Sequence, residues 1–309
     1  MSDDPRALVP RGAPPPLVMA RSLEAASPRS LVHIDGKGQV RSPVRYRAQI
    51  ALAYGLSAYT VGALTLAATT LWGLPGIGVG AGAGWLVARG ILRARKIRHA
   101  VQLLVHDRLD EAEALLREVQ RSWGAPRLTR AIVEQNLGAC AVRRGRFDDA
   151  LAHHRAALAL YRRRNRRRPQ ARMVEYQEIV TLVNLDRAAE ARRIFGERHG
   201  KVPDGNYLRV QHWVAELYLA LAEGEHRLDE DALHERARAA LGITGAVALL
   251  GLVAWAHDRS GDSDQAWHLL REAHDRPDGA VLERTLPRLH AWMEAHRADA
   301  AAAADAIDL

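Results

Sequence analysis

From Ala48 to Ala88 the chain carries not one Asp, Glu, Lys, Arg or His. No other property narrows the fold as much. Crossing a bilayer core takes about 20 apolar residues in helical form, so this run is long enough for two passes. Trp72-Gly73-Leu74-Pro75-Gly76 divides it with a turn signal, which predicts a first pass over 48–71 and a second over 77–92. Arg41, Arg45 and Arg47 precede the run, Arg89, Arg93, Arg95, Lys96 and Arg98 follow it, and the central turn is uncharged. Basic flanks stay cytoplasmic, so both ends of a hairpin belong inside, whereas a single span would have to export one basic cluster. Tyr46, Trp72 and Trp85 fall where interfacial aromatic rings are favoured. The expected location is an inner membrane of bacterial type, with both termini and the remaining domain cytoplasmic.

In the second pass Gly76, Gly80 and Gly84 share one helical face at the spacing that lets helices approach closely. Packing against the small residues Ala51, Gly55 and Ala58 of the first pass is one use of that face. Homo-oligomerisation, or a pore lined by this helix, is the other.

Residues 1–45 read as a leader rich in proline, with Pro5, Pro10, Pro14, Pro15, Pro16 and Pro28 and no apolar period, a composition that predicts disorder. Within it Asp35-Gly36 lies between two β-prone runs, a hairpin signal over 31–41. No secretory signal precedes the apolar run. The single cysteine, Cys140, excludes an intrachain disulfide and all-cysteine zinc sites. The net charge of +8 comes almost wholly from arginine, since only Lys37, Lys96 and Lys201 are lysines.

Beyond residue 92 one pattern recurs. Asp107-Arg108-Leu109-Asp110-Glu111-Ala112 is matched by Gly145-Arg146-Phe147-Asp148-Asp149-Ala150, Asp186-Arg187-Ala188-Ala189-Glu190-Ala191 and Gly261-Asp262-Ser263-Asp264-Gln265-Ala266. A degenerate copy runs from His226 to Ala232. Each reads as a turn, an acidic first helical stretch that suits the helix dipole, then a small residue heading an apolar stripe.

This pattern resembles the tetratricopeptide repeat family. The second copy is the most similar, with Leu137 and Gly138 on its first helix, Gly145 and Phe147 at the turn, and Ala150 and Ala157 on its second helix. The first copy offers Ala112 and Leu116, the third Ala191 and Phe195, the fifth Ala266, Leu270 and Ala273. The steps from Ala112 through Ala150, Ala191 and Ala232 to Ala266 are 38, 41, 41 and 34 residues, against about 34 in the family. The family's aromatic residues on the first helix are mostly missing, and Pro126 alone closes a copy clearly. The expected fold is all-α: the uncharged run gives a two-helix transmembrane hairpin over 46–92, and the resemblance implies an α-solenoid of about five helix pairs over 93–297, before a tail over 298–309. Leu282, Leu286, Leu289 and Met293 predict a terminal capping helix. The uncharged run from Leu241 to Ala256 is too short for a third span and belongs to the first helix of the fifth pair.

The conspicuous polar cluster is Arg162, Arg163, Arg164, Arg166, Arg167 and Arg168 around Asn165. It suits a solvated loop, an acidic protein or an anionic lipid; without interleaved aromatics or a nucleic-acid fold motif, nucleic acid is the weaker expectation. The histidines read as surface residues of helices, and His234-Glu235 lacks the second histidine of a zinc-protease helix. Cys140 reads as a packed thiol. No phosphate loop or nucleophile motif is present, so neither an enzyme nor a cofactor is expected. Two functions stay open: an adaptor that captures a protein or peptide on the repeats, and an oligomeric membrane assembly or channel built on the glycine face.

Overall fold

The computed structural model describes residues 33–34 and 40–41, part of 52–71, and 74–299 apart from 162–167, 205, 227, 242–245 and 277–278. Among the described residues the chain is all-α apart from one short antiparallel pair: β1 (His33–Ile34) faces β2 (Val40–Arg41), with Ile34 opposite Val40, where Asp35-Gly36 predicts a hairpin. The described residues between 52 and 71 are helical.

The helix α1 (Leu74–Val105) is 32 residues long and ignores the domain boundary expected near residue 92. Nothing in 89–98 breaks a helix: arginine, lysine, leucine and isoleucine all propagate it. The second apolar helix and the first helix of the first pair are therefore one element. Its end is set at Asp107, where the backbone turns left-handed at φ 61°.

Then follow α2 (Leu109–Arg121), α3 (Arg127–Arg143), α4 (Phe147–Leu160), α5 (Pro169–Asn184), α6 (Ala188–Arg198), α7 (Asn206–Glu223), α8 (Glu230–Leu241), α9 (Val247–Arg259) and α10 (Ser263–His274). From α1 to α7 each helix packs on the next, α8 packs on α9 and α9 on α10, and α5, α7 and α9 also pack in series. The recurring turns share one hydrogen-bond pattern. Arg108 N–H donates to Leu103 O at 2.9 Å, Arg146 to Ala141 O at 2.9 Å, Arg187 to Leu182 O at 2.9 Å, and Asp262 to His257 O at 3.0 Å. In each case the preceding residue is left-handed: Asp107, Gly145, Asp186 and Gly261. This is the six-to-one closure that satisfies the last carbonyls of a helix.

Ala112, Ala150, Ala191 and Ala266 are fully buried where the helices of each pair cross, so any larger side chain would push the backbones apart. The fourth copy departs from the sequence reading. Its turn residue is Gly224, but α8 begins only at Glu230, and the extra turn is tied to α9 by His226 Nε2 on Ala256 O at 2.9 Å. The inward residue is therefore Leu233, 2% exposed, while Ala232 is half-buried and its N–H is capped by Asp229 Oδ1 at 2.8 Å. The run from Leu241 to Ala256 ends α8 and supplies most of α9, which is buried from Val247 to His257 apart from Ala248.

The predicted capping helix is two helices, α11 (Gly279–Thr285) and α12 (Pro287–Ala295). Pro287 lacks the N–H that would continue α11, and it disfavours helical backbone at Leu286, which is found at φ −136° and ψ 62°. α12 packs on α9 and α7, with Gly251 making room for Met293 and Leu289. α11 reaches back to α3. Leu282, Leu286, Leu289 and Met293 are all buried.

Candidate functional site

Two features stand out among the described residues. The first is the apolar pair of helices. A Cβ added to Gly80 would fall 2.2 Å from Thr65 Oγ1, and one on Gly84 would fall 3.7 Å from Val61 Cγ1. The glycine face is thus occupied within the chain by Val61 and Thr65, each half-buried. Of the first-pass residues expected there, an added Cβ on Gly55 meets nothing, and Ala51 and Ala58 lie outside the described residues. The side chains of 74–77, and hence any contact at the Gly76 position, lie outside the described residues. Threonine hydroxyls turn back onto their own helix, Thr65 Oγ1 to Val61 O at 2.7 Å and Thr60 Oγ1 to Leu56 O at 2.7 Å.

The outer faces carry Leu52, Leu56, Tyr59, Leu66, Leu71, Val79, Trp85, Leu86 and Leu92, every one of them more than half exposed. At the lower end of this surface the Arg89 guanidinium lies over the Trp85 ring at 4.8 Å and the Trp123 ring at 5.8 Å. Trp123, in the turn after α2, is 76% exposed. Arg93 fixes that turn to α1, donating to Ser122 Oγ at 3.0 Å, to Gly124 O at 3.2 Å and to Trp123 O. Trp123 stood out in no sequence pattern, because only the fold brings it beside Trp85. Among the described residues no helix is long and apolar enough to cross a membrane.

The second region is a cavity of about 290 Å³ bounded by the first helices of successive pairs. Ala139 of α3, Tyr176 and Thr181 of α5, Val214 of α7 and Leu249 of α9 line it, and Leu286 closes one side. Its volume lies near the lower end of the range for small-ligand and side-chain pockets, roughly 300–1,000 Å³. His154 forms part of the wall; its Nδ1 lies 3.4 Å from Thr181 Oγ1 and its Nε2 has no partner. Gly138 of the Leu137-Gly138 signature is what admits this ring, since a Cβ there would sit 2.5 Å from it.

The C-terminal segment crosses this region and is held by polar contacts. Arg284 donates to Asp107 Oδ2 at 2.7 Å, and Arg288 donates to Asp186 Oδ1. Between them, Asn184 Nδ2 donates to the Thr285 carbonyl at 2.9 Å, and Asn184 Oδ1 accepts from Tyr218 at 2.5 Å.

The expectation of surface histidines fails for His154, His199, His212 and His257, all of which are buried. Periodicity could not separate them from surface positions, because the faces of a helix inside a stack are nearly all covered. His199 and His212 both pack on Tyr176, with ring centroids 4.5 and 5.7 Å from it. Burial holds His154 and His199 down to about 3 and His212 to about 4. The imidazoles are therefore neutral and packed.

Cys140 is fully buried and its thiol is pushed up to about 11 by burial, as a packed thiol should be. Among the described residues no group of His, Cys, Asp and Glu could hold a metal ion. His234 pairs edge-on with His257 and does not join a ligand set. Arg162, Arg163, Arg164, Arg166 and Arg167 lie outside the described residues, while Arg168 is the residue before Pro169 at the start of α5, at ψ 144°. No family model, curated protein or solved structure matches the chain.

Proposed function

We propose that the chain is a membrane-anchored scaffold. Two apolar helices hold a tetratricopeptide-like α-solenoid at the cytoplasmic face, and the face bounded by α3, α5, α7 and α9 captures a peptide segment of another protein. One observation carries this reading: α1 is a single helix whose first half exposes large apolar side chains and whose second half, at Ala100, Leu103 and Leu104, is buried in the first helix pair. An exposed leucine forgoes roughly 1.5–3 kcal/mol of burial, and six of them on one short pair of helices call for a lipid environment. Back-bonded threonines suit that environment, where hydroxyls must be satisfied internally.

From Leu74 to Leu92 the helix rises roughly 28 Å, close to the ~30 Å core of a bilayer. Arg89 would snorkel along Trp85 and Trp123 to the interface. Filling of the glycine face by Val61 and Thr65 favours a hairpin within one chain over the oligomeric channel.

The test uses the full-length protein in sealed inner-membrane vesicles with Gly73→Cys. Labelling by an impermeant maleimide only from the face opposite the repeats, with resistance to alkaline extraction, supports the anchor. Labelling from the cytoplasmic face, or release by alkali, overturns it. Capture of a partner in a crosslinked complex that maps to α3, α5 and α7 supports the scaffold, and crosslinks confined to copies of this chain overturn it.

A further inference from the structure

Asp107 and Asp186 occupy equivalent turns in the first and third pairs, where the second, fourth and fifth pairs have Gly145, Gly224 and Gly261. The backbone asks only for a left-handed residue at these points, and glycine adopts that conformation most readily. Aspartate is tolerated there but brings a carboxylate that the turn does not need. Both carboxylates are used by the same distant segment: Arg284 reaches Asp107, and Arg288, four residues on, reaches Asp186. Asn184, braced by Tyr218, reads the Thr285 carbonyl between the two arginines. Leu286, also between them, is buried against the cavity wall. The scaffold thus reads Arg-x-Leu-x-Arg through two side chains, one backbone carbonyl and one apolar contact.

The fit of this segment is incomplete in two respects. A cavity of about 290 Å³ stays open beside Leu286, room enough for a larger apolar side chain there. The arginines are 37% and 40% exposed and their aspartates 42% and 81% exposed, so a competitor can exchange these ion pairs in water. We propose that α11 and residues up to Arg288 are a built-in stand-in for the scaffold's partner, and that the partner is a basic peptide carrying two arginines four residues apart around an apolar side chain larger than leucine. The proposal rests on the reading of this face as a peptide-capture surface. It makes the free protein self-occluded: a partner must displace α11, while α12 remains anchored on Gly251.

The probe is a fluorescent synthetic peptide of the chain's own sequence 280–290, with a second peptide bearing Leu286→Trp and a third with Arg284→Glu and Arg288→Glu. Binding is measured by anisotropy to the full-length protein in detergent micelles. The receptor variant Arg284→Glu with Arg288→Glu, freed of its own segment, should bind the native-sequence peptide roughly ten-fold or more tighter than wild type, because the binding-competent fraction rises. The Leu286→Trp peptide should bind tighter still, the acidic peptide should not bind, and adding Asp107→Asn with Asp186→Asn to the freed receptor should abolish the gain. Equal affinity of freed and wild-type receptors, or equal binding of basic and acidic peptides, overturns the proposal.

Amide hydrogen exchange of residues 279–288 in the wild-type protein gives a readout that does not depend on the variants folding. Saturating Leu286→Trp peptide should speed exchange there and leave 289–295 protected, and unchanged exchange overturns displacement. A native partner crosslinked to α3, α5 and α7 together with indifference to these peptides would sink this inference alone. Peptide binding without membrane retention would sink only the anchor.

Discussion

Arg284 donates to the carboxylate of Asp107 at 2.7 Å across 177 residues of chain, so the last part of the helical array is closed onto its first turn. Asp107 is also approached by Arg143 at 3.7 Å, and Arg143 donates to Leu104 O at 2.8 Å. The end of α1, the end of α3 and the C-terminal segment therefore meet at one left-handed residue.

That geometry separates two substitutions at the equivalent site. Asp186→Gly loses an exposed ion pair, worth about 0–1 kcal/mol, and gains an easier left-handed turn. Asp186→Ala loses the same pair and keeps a left-handed residue with no local compensation, at roughly 1–2 kcal/mol. Urea unfolding followed by circular dichroism should place the alanine variant about 1 kcal/mol below the glycine variant. Coincident curves would mean that the turn is not left-handed in solution.

Acid should weaken the array earlier than carboxylate titration alone would. Free histidine takes up a proton near 6.5, whereas burial holds His154, His199 and His212 at about 3 to 4 in the folded chain. Below pH 6.5 the unfolded chain binds more protons, so stability that is complete above 6.5 falls as pH drops towards 4. Each such histidine contributes roughly 1.4 kcal/mol per pH unit in that window. His154→Leu removes one of them, and its partnerless Nε2 leaves little bonding to lose. The acid midpoint of the variant should shift downward, measured by ellipticity against pH; an unchanged midpoint would show His154 to be protonated without penalty.

The apolar helices offer a contrast within one glycine series. Gly80→Ala drives a Cβ into Thr65, whereas Gly84→Ala makes ordinary contact with Val61 and Gly82→Ala meets nothing. Spin labels on the two helices should separate in the Gly80 variant and keep the wild-type distance in the other two. Equal distances in all three would show that the helices do not cross at Gly80.

Cys140 should stay silent to maleimide at neutral pH until the array unfolds, because its thiol is fully buried and pushed up to about 11 and the thiolate is the reactive form. Mass spectrometry with and without denaturant checks this. Native labelling at Cys140 would show that α3 opens. Silence there also makes an introduced cysteine at Gly73 the sole reporter of topology.

The recurring turns were readable in the sequence because a left-handed residue, an acidic helix start and a fully buried alanine are each imposed locally. Ala112, Ala150, Ala191 and Ala266 stand where the pattern put them. The fourth copy misled because the longer turn around His226 moves the inward position to Leu233, and a shift of one residue is invisible in a worn motif. The C-terminal closure was not readable at all. Arg284, Arg288 and Asn184 look like ordinary helix residues until the fold sets them beside partners 177, 102 and 101 positions away. The same holds for Trp123, which acquires meaning only beside Arg89 and Trp85.

One rigid shaft follows from the continuity of α1. Its 32 residues extend roughly 48 Å at 1.5 Å per residue, with no hinge between the apolar end and the first helix pair. The Arg93 contacts clamp the turn after α2 to its middle. Any roll or tilt of the apolar end is therefore transmitted as torque to Ala100, Leu103 and Leu104, and through them to the whole array. A linker would let the array swing freely on its tether. This shaft instead makes it a lever with one permitted bearing, turning with whatever grips the apolar end.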